Sequence, residues 1–372
     1  MRVCLVGPAY PYRGGIAHFT AMLAREFRRD HEVLLVNFSR MYPSFLFPGK
    51  TQYDESPSAL RVDSMRVVDS VNPLSWRAAA RVIVDFRPAI VVFQWWHPFF
   101  GPAFRIISSA VKRRTGARVI FLCHNVLPHE SSIFDRTLVG MGLGSADAYL
   151  VQSREDEKNL KRLKRDARVA VNPLPTFDLF EHGRFDRESA RAHLELEGPT
   201  LLFFGYIRPY KGLGVLLEGF GRVLQRMPAT LLVVGEFYEK RENYDEVIER
   251  LSIGPHVRIV DSYVPNAEVE AYFKAADLIV LPYLSATQSA IVQTAFSFAK
   301  PVVVSAVGGL PEVVEDGVTG YVVPPRDPQA LANAVVRFFE EKAAERMASA
   351  IESGRDRFSW KRCAEVLTSL AK

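Results

Sequence analysis

Cysteine is scarce: Cys4, Cys123 and Cys363 are the only thiols in 372 residues, and each stands alone in an apolar stretch. That spacing supports neither a disulfide framework nor a cysteine metal site, and it fits a reducing compartment. No uninterrupted apolar run approaches about 20 residues, so no segment is expected to span a membrane. Met1 leads straight into "RVCLVGPAY", a strand and a loop, without the pattern of a secretory leader. A cytoplasmic location follows as an expectation. Internal repeats and low-complexity tracts are also missing.

Acidic residues are thin in the first half. Residues 1–180 hold 25 Lys/Arg against 16 Asp/Glu, whereas the remainder holds 22 against 26. A basic half-chain suits an anionic partner such as a membrane surface, a phospholipid-type substrate or nucleic acid. It also suits a plain solvated face. No recognised nucleic-acid module accompanies the charge, so nucleic acid is not expected as a partner.

What is present is a chain with 48% hydrophobic and 24% charged residues, long enough for two domains with full cores. Apolar runs alternate with helix-like segments throughout. Strands are expected at "RVCLVGP", "HEVLLVNF", "RVVDS", "AIVVFQWW", "RVIFLCH", "AYLVQS" and "RVAVNP", and again at "TLLFFGYI", "ATLLVVGEF", "VRIVDSYV", "DLIVLPY", "PVVVSAV" and "GYVVPP". Continuous Val/Ile/Leu runs are what parallel sheets covered on both faces require. The expected architecture is α/β, with two doubly wound Rossmann-like domains facing across a cleft. Their boundaries are placed at 1–176 and 177–357, and an amphipathic helix over 358–372 closes the chain.

Open parallel sheets bind ligands beyond the carboxyl ends of their strands, so those loops are the candidate site. After the first strand, Gly14 and Gly15 precede a helix, where bare backbone amides suit an anion, and Arg13 adds a cation. "FQWWHPFFG" offers Trp95, Trp96 and His97, with one tryptophan expected in the core and the other left open. Trp96, His97, Arg13 and Asn125 are assigned to an acceptor. His124, at the end of "RVIFLCH", can bond a substrate or stabilise developing charge. In "FFGYIRPYKGLG", Gly205 ends a strand, and Arg208 and Lys211 converge before a helix. A guanidinium fork, an ammonium and free helix N–H groups together make a pyrophosphate site.

"GYIRPYKG", "DLIVLPY", "KPVVVSAVGGLPEVVEDGVTGYVVPPRD" and "GGIAHFT" resemble the retaining nucleotide-sugar glycosyltransferases of family 4, which have the GT-B fold. The resemblance covers nearly the whole chain and is strongest from about 200 to 330. It implies an acceptor-binding first domain, a second domain binding a UDP- or GDP-sugar, and a closing helix that returns to the first domain. Arg208 and Lys211 match the pair that holds the diphosphate leaving group, and His124 the histidine near the transferred sugar. Gly14 and Gly15 match the loop approaching donor phosphate and acceptor. Gly308 and Gly309 permit close backbone approach beside the sugar, and Glu236 falls near the base. No metal and no other cofactor is expected where two cations serve.

One segment departs from the family. "YLSATQSAIVQTAF" places Ala286 and Thr294 where two glutamates usually stand. Thr294 is expected to bond a ribose hydroxyl without charge assistance, and Thr287, Gln288 and Ser289 to supply donors at the start of a helix. The alternative is a simple helix cap. The expected activity is metal-independent sugar transfer, with retention, to a lipid-linked or cell-envelope glycan acceptor at the inner face of a membrane. The mechanism expected is front-face attack in which the leaving phosphate takes the proton. An epimerase of the same fold and an inactive nucleotide-sugar-binding subunit stay open as alternatives.

Overall fold

A computed structural model describes residues 1–43, 51–54, 59–127 and 133–372, with side chains in the last stretch described from 137 onward. The chain forms two compact units, Met1–Pro173 with Ser359–Lys372, and Leu174–Phe358.

The first unit runs β1 (Arg2–Val6), α1 (Gly15–Phe27), β2 (Glu32–Arg40), β3 (Met65–Asp69), α2 (Pro73–Phe86), β4 (Ile90–Trp95), α3 (Gly101–Arg114), β5 (Arg118–Cys123), α4 (Ile133–Leu143), β6 (Ala148–Val151), α5 (Arg154–Leu163) and β7 (Val169–Val171). Its seven strands pair in the order β3-β2-β1-β4-β5-β6-β7, and every pairing is parallel. Every residue of β4 is buried, as a central strand covered on both faces demands. Cys4, Val6, Val36, Val91, Phe93, Val119 and Phe121 form one core with Trp76 and Ile83 of α2 and Phe104 and Ile107 of α3.

The second unit runs α6 (Arg187–His193), β8 (Thr200–Phe204), α7 (Leu213–Leu224), β9 (Thr230–Val234), α8 (Glu242–Arg250), β10 (Val257–Val260), α9 (Asn266–Ala275), β11 (Leu278–Leu281), α10 (Ala290–Ser297), β12 (Val302–Ser305), α11 (Leu310–Val313), β13 (Gly320–Val323), α12 (Pro328–Glu340) and α13 (Ala344–Ser353). Its six strands lie in the order β10-β9-β8-β11-β12-β13, again all parallel. Successive residues of β8 enter opposite cores. Leu201 and Phe203 pack with Leu216, Phe220 and Val335 of α7 and α12; Leu202 packs with Phe273, Val292 and Phe296 of α9 and α10. Two apolar faces per strand explain the unbroken hydrophobic runs.

All thirteen expected strands are present. The unit boundary falls three residues before the expected 176/177 junction, because segment 174–180 is tied to the second unit. The Thr176 N–H donates to the Phe358 carbonyl at 3.0 Å, and the Ser297 hydroxyl to the Phe177 carbonyl at 3.2 Å. The last helix, α14 (Trp360–Leu370), is capped by Ser359 and belongs to the first unit, where Trp360 meets Phe19 of α1 at 4.9 Å. Among the described residues no helix is long and apolar enough to cross a membrane.

Candidate functional site

In the second unit the loop after β8 is bent by Gly205, whose φ of 101° suits glycine. A Cβ there would lie 3.0 Å from the Lys211 Nζ, so the missing side chain is the space the ammonium occupies. Arg208 caps a short 3-10 turn, Pro209–Lys211, which leads through Gly212 into α7. Lys211 is only 8% exposed. Burial, and then the neighbouring Arg208 charge, lower its pKa to about 8. Among the described residues neither cation has an ion pair. Instead Arg208 lies 4.7 Å from the Tyr238 ring centre, and Lys211 lies 5.6 Å from that of Tyr283.

The "YLSATQS" segment is bound to this cation loop. The Leu284 N–H donates to the Tyr210 carbonyl at 2.7 Å, and the Tyr283 and Ser289 hydroxyls are 3.3 Å apart. Ser289 caps α10, accepting the Val292 N–H at 3.4 Å, so the capping reading describes what its side chain does here. Thr287 and Gln288 precede it, half-buried. The Gly309 N–H donates to the Thr287 carbonyl at 3.0 Å. Gly308 has φ 53°, and a Cβ on it would come within 1.6 Å of the Ala286 carbonyl oxygen. That contact fixes the 286–289 backbone against the loop after β12.

Thr294 lies inside α10. It is 2% exposed, and its hydroxyl donates to the Ala290 carbonyl at 2.9 Å, so the proton that would bond a ribose is committed inside α10. Glu236, after β9, is 2% exposed, and its backbone carbonyl accepts the Ile207 N–H at 2.9 Å.

In the first unit Gly14 is the N-cap residue of α1 and Gly15 its first residue. The loop before them is pinned by buried Asn37, whose side chain accepts the Ala9 N–H and donates to the Ala9 and Tyr10 carbonyls. The Arg13 N–H donates to the Gln52 carbonyl at 3.0 Å. Trp95 is core at 1% exposure, whereas Trp96 is half-buried and donates its indole N–H to the Tyr42 hydroxyl at 3.0 Å. His97 is exposed and caps the Pro98–Phe100 turn, its Nδ1 accepting the Phe99 N–H. Asn125 is half-buried, next to His124.

His124 is held on both ring nitrogens. Its Nε2 lies 2.8 Å from the Gln94 Oε1, and its Nδ1 lies 3.3 Å from the Gln152 Nε2. An amide oxygen only accepts and an amide nitrogen only donates, so the ring is neutral with its proton on Nε2. Burial pushes its pKa down to about 3. The three residues come from the ends of adjacent β4, β5 and β6, so only pairing brings them together. Gln94 and Gln152 escaped the sequence reading; the available signal was an amide inside each of the runs "IVVFQWW" and "AYLVQS". A second buried imidazole, His18 on α1, is lowered to about 4 by burial, partly opposed by Asp54.

Two parallel-sheet domains of this kind, with seven and six strands, are the build of the GT-B class. Residues 14–175 match the family model described as a Glycosyl transferase 4-like domain, and residues 198–341 match Glycosyl transferases group 1. Each half of the chain therefore matches a glycosyl transferase domain model. It is similar to the D-inositol 3-phosphate glycosyltransferase of Corynebacterium glutamicum (strain R), with 28% identity over 241 residues, 61% of this chain and 57% of that protein. It also resembles the Streptomyces griseus protein of the same name, with 34% identity over 186 residues, 47% of this chain and 39% of the relative. The chain thus spans about half the length of the curated relatives it matches. Its fold resembles that of Anabaena HepE in complex with UDP, with TM-score 0.75, 18% identity, 99% of this chain and 100% of that one covered.

Proposed function

We propose that the chain transfers a sugar from a nucleotide diphosphate donor, a UDP- or GDP-sugar, to an acceptor hydroxyl, with retention and without a metal ion or other cofactor. The observation that carries this reading is Lys211: a buried ammonium beside Arg208 whose charge no protein anion balances among the described residues. A nucleoside diphosphate leaving group gains negative charge as the glycosidic bond breaks. Two preorganised cations at a helix start lower its energy most at that moment. The UDP bound to HepE, in the same fold, agrees with a nucleotide donor. The cation loop carries no carboxylate to attack the sugar, which favours attack from the leaving-group face with the departing phosphate as base.

Thermal shift with UDP, GDP, ADP and inorganic pyrophosphate tests the donor site. The expected result is stabilisation by every diphosphate and most by one nucleotide, since a ligand of the native state alone raises its stability. No shift with any of them, at concentrations up to several millimolar, overturns the reading. Incubating the stabilising nucleotide's sugar without acceptor separates transfer from epimerisation, because only an epimerase yields a new sugar configuration.

For the acceptor we infer a lipid-linked or cell-envelope glycan presented at an anionic membrane surface, with the protein cytoplasmic. What supports this is α2 and α3. Arg77, Arg81, Arg105, Arg113 and Arg114 are exposed, and none has an ion pair among the described residues. Leu74 and Ile106 beside them are 69% and 39% exposed. Clustered cations gain about 1 kcal/mol each near anionic lipid. The active protein is expected to pellet with phosphatidylglycerol vesicles at low salt and to leave them at high salt. Failure to pellet at low salt removes the membrane from the proposal.

A further inference from the structure

Both cations of the loop after β8 rest on aromatic rings, and both rings are backed from the cation loop itself. Tyr238 follows β9 and Tyr283 follows β11, the two strands that flank β8 in the sheet. Tyr206 meets Tyr238 edge-on, centroids 4.9 Å apart at 63°; Tyr210 meets Tyr283 edge-on at 6.3 Å and 77°. "GYIRPYK" therefore supplies two cations and the two rings that brace their seats. Backbone bonds hold the arrangement together: the Tyr238 N–H donates to the Ile207 carbonyl at 3.0 Å and the Leu284 N–H to the Tyr210 carbonyl at 2.7 Å.

The choice of ring over carboxylate has a chemical consequence. A carboxylate would orient a cation equally well, but it would neutralise it and compete with any arriving anion. The face of a tyrosine attracts a cation through its quadrupole and carries no net charge. Each cation is thus located without being satisfied.

We propose that Tyr238 and Tyr283 are positioning residues, aromatic seats that fix Arg208 and Lys211 while leaving their full charge for the donor diphosphate. This inference rests on the reading of that loop as the diphosphate site.

The test is calorimetric titration with inorganic pyrophosphate, which reads the cations without a nucleobase. Tyr238 is half-buried, so its variants can be compared at a matched melting temperature. Tyr238→Phe keeps the ring and is expected to bind within about twofold of the parent. Tyr238→Leu removes the quadrupole and is expected to weaken binding about tenfold. Tyr238→Glu, which supplies Arg208 with the competing carboxylate, is expected to weaken it further. Tyr283→Phe retains the second seat and loses only the hydroxyl that meets Ser289. Parent-like binding by Tyr238→Leu overturns the proposal. So does an equal loss in Tyr238→Phe, which would assign the effect to the hydroxyl. The donor-site reading has its own arm: if Arg208→Ala and Lys211→Met both bind pyrophosphate like the parent, that reading fails and the seats fall with it. If those two variants lose binding while the tyrosine series does not, only the seats fall.

Discussion

Lys211→Met is expected to make the protein more stable and nearly inactive. Among the described residues no carboxylate balances the buried ammonium, an arrangement that costs folding free energy. A methionine of similar length fills the space beside Gly205 and Tyr283 without that cost. The unfolding free energy should rise by about 1–2 kcal/mol. Turnover of a nucleotide sugar should fall by roughly 10² to 10³, the usual effect of removing one preorganised group from a leaving oxyanion.

The same lysine predicts a pH dependence with a definite sign. Its folded pKa of about 8 lies below the ordinary lysine value of 10.5. Between those values the unfolded chain binds more protons, so this group's penalty is relieved and its contribution to stability rises with pH. Diphosphate binding needs the charged form and should weaken as pH rises through about 8. Urea denaturation and pyrophosphate titration across about pH 7 to 9.5 should therefore move in opposite directions in the parent and lose that opposition in Lys211→Met. A variant that is less stable than the parent, or that keeps its activity, contradicts the assignment.

Acid should unfold the first unit with unusual ease. His124 and His18 have folded values of about 3 and 4, each depressed by burial from the ordinary histidine value of 6.5. Both are neutral in the folded state, so the unfolded chain takes up protons first as pH falls. Stability is intact above 6.5 and is lost progressively toward 4 and then 3. The loss is on the order of 2 kcal/mol per histidine by about pH 4.5. His124→Gln cannot titrate. It should lower stability at neutral pH by about 1–3 kcal/mol through the disturbed bonds to Gln94 and Gln152. It should also flatten the decline between about pH 6.5 and 4.5. Urea midpoints falling in parallel for parent and variant would show that folded His124 takes up its proton in this window like the unfolded chain, which contradicts a depressed folded value.

The different fates of these residues show what a linear reading reaches. Lys211 and Arg208 stand three positions apart before a helix, and that local pattern is what marks the loop as a candidate anion site. The thirteen strands were equally visible, because a strand buried on both faces must be apolar along its length. Gly14 before α1 and Gly205 after β8 followed from the turns they make. Thr294 was singled out by its place in the motif, and what the structure adds is that its hydroxyl donates to the Ala290 carbonyl one turn back. His124 was singled out for its strand end, but the glutamines that fix its proton come from strands on either side.

The order of apolar runs, the turn glycines and the cation pair are written in the sequence, because periodicity and short-range spacing act on neighbours along the chain. The tyrosine beneath each cation and the tautomer of His124 were decided only in the tertiary structure. Sheet order, not sequence distance, sets Tyr238 and Tyr283 on either side of the loop after β8. Burial then turns an ordinary lysine and two ordinary histidines into groups with shifted protonation, since the cost of a charge depends on everything packed around it.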